Sequence, residues 1–146
     1  MLDERAVVPN GAPACHRVSL RRMDLVRNCM RIGLAIFLAV AGIAHFVAPQ
    51  PYVRHLPEAI PMRPELVALT GAVEIVLAAG LLGPGRWHRP VGVAAAAYLV
   101  AVFPANLYAA VSQVPIEGVP NGWIRWARLP LQIPLIVAAL WSTRGR

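Results

Sequence analysis

The chain has 146 residues, 58% hydrophobic and only 14% charged, with a mean hydropathy of +0.56. This excludes bulk disorder and leaves room for one domain, too apolar for an ordinary soluble one. Lys+Arg number 14 against 7 Asp+Glu, a balance of +7. A nucleic-acid partner is excluded, because the basic residues, all arginine, stand at the ends of long apolar runs, where membrane topology puts them, and not beside aromatics on a polar face. Cys15 and Cys29 form no CxxC or Cys/His cluster, so neither a disulfide framework nor a zinc site is expected.

Residues 1–29 read as a polar, basic cytoplasmic arm in which Pro9, Gly11 and Pro13 precede Arg17, Arg21, Arg22 and Arg27; its last part fits a helix lying on the membrane surface. Residues 32–48 are apolar except for His45 and are just long enough for a span. Ala39, Val40 and Ala41 imitate a signal-peptide cleavage site, but the polar lead is too long and the apolar run continues beyond them. Residues 49–64 hold five prolines with Tyr52, Arg54 and His55 among them, which predicts a loop against the headgroups or over the mouth of a bundle. The second span, 65–83, carries Glu74 at its middle and ends on the turn Gly83, Pro84 and Gly85. Pro90 opens a third span, 90–111, with Pro104 inside it; after a short loop from Ser112 to Asn121, a fourth covers 124–141. The fold class expected is therefore all-α, an integral membrane four-helix bundle.

Charge sets the orientation. With four spans, ten arginines fall on one side and four (Arg54, Arg63, Arg125 and Arg128) on the other, so both termini are expected in the cytoplasm. Trp87, Trp123, Trp126 and Trp141 all stand at span ends, as an aromatic belt requires.

An ionised carboxylate in hydrocarbon is costly, so Glu74 should face the bundle interior, be paired or hydrogen-bonded, or hold its proton. Thr70, Gly71 and Ala78 share its helix face, and Ala41 and Gly42 share that of His45. Pro104 frees the carbonyl of Val100 for a donor, with Asn106 or a ligand as candidates. Arg128 and Gln132, four residues apart, project from one face. Direction and rise place His45, Asn106, Arg128 and Gln132 in the outer half with Glu74 at the floor, about 13 Å below Glu65, and Gln132 nearest to it in depth. Such a cluster serves either as glue between helices or as the polar end of a cavity for a small amphipathic molecule. No nucleotide-binding loop or serine nucleophile is present, and His45 with Glu74 alone is weak support for a metal, so none is expected.

His45, Phe46, Pro49, Tyr52, Arg54 and Pro57, then Gly71, Glu74, Leu81, Leu82 and Arg86, then Pro104, Ala105 and Asn106, then Trp126, Arg128, Leu129, Pro130 and Gln132 form an ordered set. Over about residues 30–143 this set resembles the DoxX-like family of small bacterial membrane proteins. The resemblance implies a four-helix membrane bundle in the bacterial inner membrane. It also implies roles as varied as a small subunit of a thiosulfate:quinone oxidoreductase, a component of redox complexes that detoxify radicals, or a receptor chaperone. Cys29 lies at the cytoplasmic edge and no sulfur accompanies Glu74, which argues against direct thiosulfate or disulfide chemistry.

The expected function is binding of a lipophilic small molecule, with a quinone as the candidate cofactor, in an outer-half polar cavity serving a membrane redox system. Glu74 exchanges a proton or holds the head group; Arg128, Gln132 and Asn106 donate hydrogen bonds; His45 relays protons at the mouth. The alternative is a membrane chaperone or assembly subunit that holds partner helices on the small-residue faces of the first two spans. Either reading admits a partner subunit or a homo-oligomer.

Overall fold

The computed structural model describes residues 14–112 and 123–144, with side chains described for 21–112 and 126–144. Residues 1–13 of the arm expected at 1–29 and nearly all of the loop expected at 112–121 therefore lie outside the described residues, as do the side chains of residues 14–20, Trp123 and Arg125. The described residues form five helices and no strand: α1 (Ala14–Val47), α2 (Pro49–Val53), α3 (Arg63–Leu82), α4 (Gly85–Val111) and α5 (Trp123–Ser142).

Helix α1 is 34 residues long and runs without a break from the arm into the first apolar segment. No proline or glycine interrupts the chain between Pro13 and Gly33, and the arginine, leucine and methionine of that stretch are good helix formers, so nothing ends the helix at the membrane edge. Part of the five-proline segment is the short helix α2, opened by Pro49 and followed by turns. Met62 then takes a left-handed conformation, φ 54°, and Pro64 stands in the first turn of α3. Helix α4 begins five residues before Pro90, on the turn in which the Trp87 N–H donates to the Pro84 carbonyl at 2.9 Å.

The four long helices close a ring in the order α1, α3, α4, α5, each packed against the next and α5 back against α1. Its core is narrow and built largely of small residues: Leu34, Ala35, Leu38, Leu77, Ala78, Leu81, Ala95, Ala96 and Ala139. Outside that core the helices are apolar all round. Ile36, Val40, Val76, Val93, Val100, Ile133 and Val137 are all exposed. Three helical segments, Arg21–Val47, Arg63–Leu82 and Gly85–Val111, are long and apolar enough to cross a membrane, and only about a quarter to a third of each apolar window is buried within the protein. Large apolar side chains covering every outer face suit a protein whose solvent is lipid, in which small residues draw helices together and long ones face outward.

The closest approach is between α1 and α3. A Cβ at Gly42 would stand 2.7 Å from the Gly71 carbonyl oxygen, and one at Gly71 would stand 2.7 Å from the His45 Cβ and 2.9 Å from the Gly42 carbonyl oxygen. Neither neighbour is a flexible chain end, so this crossing requires glycine at both positions. Gly71→Leu should therefore cost about 1–3 kcal/mol through overpacking, read as a lower Tm in mild detergent. Gly33→Ala, at a helix-interior glycine where an added Cβ meets nothing within 4 Å, should keep or raise the Tm, by up to about 1 kcal/mol of stability.

Candidate polar site inside the bundle

Because Gly42 and Gly71 let α1 and α3 touch, the side chains one turn on from each glycine are brought face to face. His45 Nδ1 lies 3.3 Å from Glu74 Oε2, and both residues are 8% exposed. The two atoms are not aligned as a hydrogen bond, and each is buried without another acceptor or donor among the described residues. The other carboxyl oxygen, Oε1, accepts a 2.8 Å hydrogen bond from the Tyr98 hydroxyl of α4, which also lies 3.5 Å from the Thr70 carbonyl oxygen. Glu74 is thus held from one side by Tyr98 and faces an imidazole on the other, in surroundings that leave an unpaired buried polar atom costly.

The group extends outward from His45. The Tyr52 ring of α2 packs edge-on against the imidazole, with centroids 4.0 Å apart at 78°, and His55 follows Tyr52 at 6.2 Å and 72°. Tyr52 and His55 are half-buried, so the series His55, Tyr52, His45, Glu74, Tyr98 leads from the rim of the bundle to its interior. Burial pushes the Tyr52 hydroxyl above its usual range, the Glu74 charge adds to this, and the Arg128 charge opposes it. His55 is pushed down to about 4, first by burial and then by the charges of Arg128 and His45. Arg128, itself exposed, thus acts at the rim upon Tyr52 and His55.

The residues singled out in the sequence fall into two groups. His45 and Glu74 are brought into contact, so His45 stands beside the carboxyl group rather than above it at the mouth. Gln132, expected nearest to Glu74, is buried but donates through Nε2 to the Leu99 carbonyl of α4, while its Oε1 has no donor among the described residues. The carbonyl it meets is one residue before that of Val100, the one left without its helical N–H by Pro104. Asn106 is half-buried on α4, two residues beyond Pro104. Sequence reasoning missed Tyr98, the partner that Glu74 has. The signal was present, since a tyrosine inside an alanine-rich apolar helix needs somewhere to place its hydroxyl.

Beside Gln132 an apolar groove of about 470 Å³ runs between α4 and α5, lined by Val100, Phe103, Leu129, Pro130, Ile133 and Ile136. The described residues hold no group of three or more His, Cys, Asp or Glu that could bind a metal ion.

A protein family described as a domain of unknown function (DUF8561) matches residues 34–143, which include every residue of this site and leave the first half of α1 outside. No curated protein and no solved structure matches the chain.

Two outcomes check the geometry. Tyr98→Phe strips Glu74 Oε1 of its donor and should cost about 1–3 kcal/mol of stability, seen as a lower Tm with helix content intact. His55 should titrate near pH 4 by NMR of labelled histidine, and Arg128→Gln should raise that value. Because the unfolded imidazole binds its proton near 6.5 and the folded one only near 4, stability due to His55 is present above pH 6.5 and lost as pH falls through that window.

Proposed function

The chain belongs to the DUF8561 family, and we propose that it is a four-span integral membrane protein that receives the polar head of a lipophilic molecule, of quinone type, against Glu74 and His45. It serves a membrane redox system in a bundle resembling the DoxX-like proteins. Helix α5 is the fourth span, since its 20 residues close the ring between α4 and α1 and its outer face carries Leu131, Ile133, Val137 and Leu140. The arginine distribution then puts both termini in the cytoplasm of a bacterial cell and His55, Tyr52 and Arg128 toward the outer face of its inner membrane.

The observation that carries this reading is the buried pair itself. An acid and an imidazole face each other 3.3 Å apart with their facing atoms otherwise unpartnered among the described residues, where a merely structural pair would be fully hydrogen-bonded. A hydroxyl oxygen bridging them can accept from one and donate to the other, and a carbonyl oxygen can accept from the imidazole N–H or from the protonated carboxyl group. A quinone that takes electrons from a partner protein must also take protons on its carbonyl oxygens, and His45 and Glu74 are the residues that hold and move them here. Tyr98 fixes the carboxyl group from behind. The α4–α5 groove has the size and apolar walls for an isoprenoid tail, and its one polar member, Gln132, reaches the backbone of the residue that follows Tyr98. Gly42 and Gly71, the small-residue faces that a chaperone would offer to partner helices, are occupied by each other.

Protein purified in mild detergent should carry a near-stoichiometric quinone, identified by native mass spectrometry and extraction. Glu74→Gln keeps the shape of the side chain and should lower quinone occupancy by about tenfold, the weight of one hydrogen bond to a charged group, with helix content unchanged by circular dichroism. Wild-type protein without quinone, or a variant that retains it fully, overturns the reading.

A further inference from the structure

The opposite end of the bundle holds a second polar cluster. There the chain leaves α3 at Gly83, enters α4 at Gly85 and leaves α5 at Ser142, and the Asp24–Arg31 stretch of α1, the start of α4 and the end of α5 border a cavity of about 390 Å³. Its walls carry three guanidinium groups, those of Arg27, Arg31 and Arg144, against the single carboxylate of Asp24.

Two of these arginines are held in place by their neighbours. Arg31 donates through Nη1 to the His88 ring, whose Nε2 lies 2.9 Å from the Gly83 carbonyl oxygen, so the guanidinium is tied to the α3–α4 turn. Arg27 stacks on the Trp141 ring at 5.3 Å. In both, the Nε–H is buried and meets no acceptor among the described residues. A charged donor so placed is costly unless an acceptor reaches it, and the hydroxyls of Ser142 and Thr143 in the same wall are turned instead to the carbonyls of Ala138 and Ala139 at 2.5 Å. Asn28 and Gly85, the first residue of α4, also line the cavity.

We infer that this cavity is a binding site for an anionic phosphate group, supplied by a lipid headgroup or by free phosphate. Phosphate oxygens match the fork of an arginine, and two guanidinium groups held apart by His88 and Trp141 present that fork without further ordering. The cavity stands at the end of the apolar run that starts at Ile32, the depth at which a bilayer places its phosphates. The inference does not depend on the quinone reading, which concerns the other end of the bundle.

Full-length protein, delipidated in dodecylmaltoside, would be titrated with dioleoylphosphatidylglycerol or dioleoylphosphatidylcholine and followed by native mass spectrometry; in parallel its Tm would be followed against inorganic phosphate. Phosphatidylglycerol should bind tighter than phosphatidylcholine. Arg27→Gln with Arg31→Gln should weaken it about thirtyfold, or about fivefold for either change alone if the pair does not fold. Arg86→Gln removes a charge from the same end outside the cavity and should change binding by less than about twofold. Preference for phosphatidylglycerol assigns the site to a lipid; no lipid preference, with a phosphate-dependent rise in Tm that the double variant loses, assigns it to free phosphate. The inference is overturned if neither ligand acts, if the double variant matches wild type, or if Arg86→Gln loses as much.

Discussion

The polar interior depends on the contact between two glycines. With Gly42 and Gly71 backbone to backbone, α1 and α3 cross so closely that His45 and Glu74, one turn on from each glycine, come to face each other at 3.3 Å. A methyl group at either glycine would push the helices apart, and the carboxyl group would then lose its imidazole neighbour while keeping its tyrosine. Tight packing of small residues is the main means by which helices associate where lipid removes the hydrophobic drive, so the bond that makes the fold also makes the site.

The rest of the ring is arranged around that crossing. Alanines from α4 and α5 fill the centre, and Gly92 meets Thr143 and the Ala139 carbonyl in a second close approach at the opposite end. There Arg31 and Arg27 of α1 meet His88 at the start of α4 and Trp141 at the end of α5 through hydrogen-bonded and stacked contacts. The bundle thus has an acid–imidazole pair buried near one end and a basic cavity at the other, and neither end can be altered without touching residues that also hold helices in place.

Proline shapes both faces of the α4–α5 contact. Pro104, Pro130 and Pro134 each remove a backbone donor from a helix interior, and such helices persist in an apolar medium only where other groups meet the freed carbonyls. Gln132 donates to the carbonyl of Leu99, the residue next to Val100, whose carbonyl Pro104 frees. Pro130 also lines the apolar groove beside Gln132.

Much of the helical architecture was legible in the chain itself. Long apolar runs, arginines at their ends and glycine-proline turns mark the helices, because each depends only on local composition and on backbone groups that lipid cannot satisfy. Glu74 and His45 stood out for the same reason, as polar groups in apolar stretches with small residues on their faces. The start of α1 was less legible, since nothing local separates a surface helix from the span that continues it. Partners were decided only by the tertiary structure. Helical periodicity tells which residues share a face but not how deep the facing helix sits or how it is turned about its axis, and these come from the glycine crossing and the packing of the ring. That is why Tyr98 rather than Gln132 meets Glu74, why Gln132 finds Leu99 rather than Val100, and why arginines from one end of the sequence and the other converge on a single cavity.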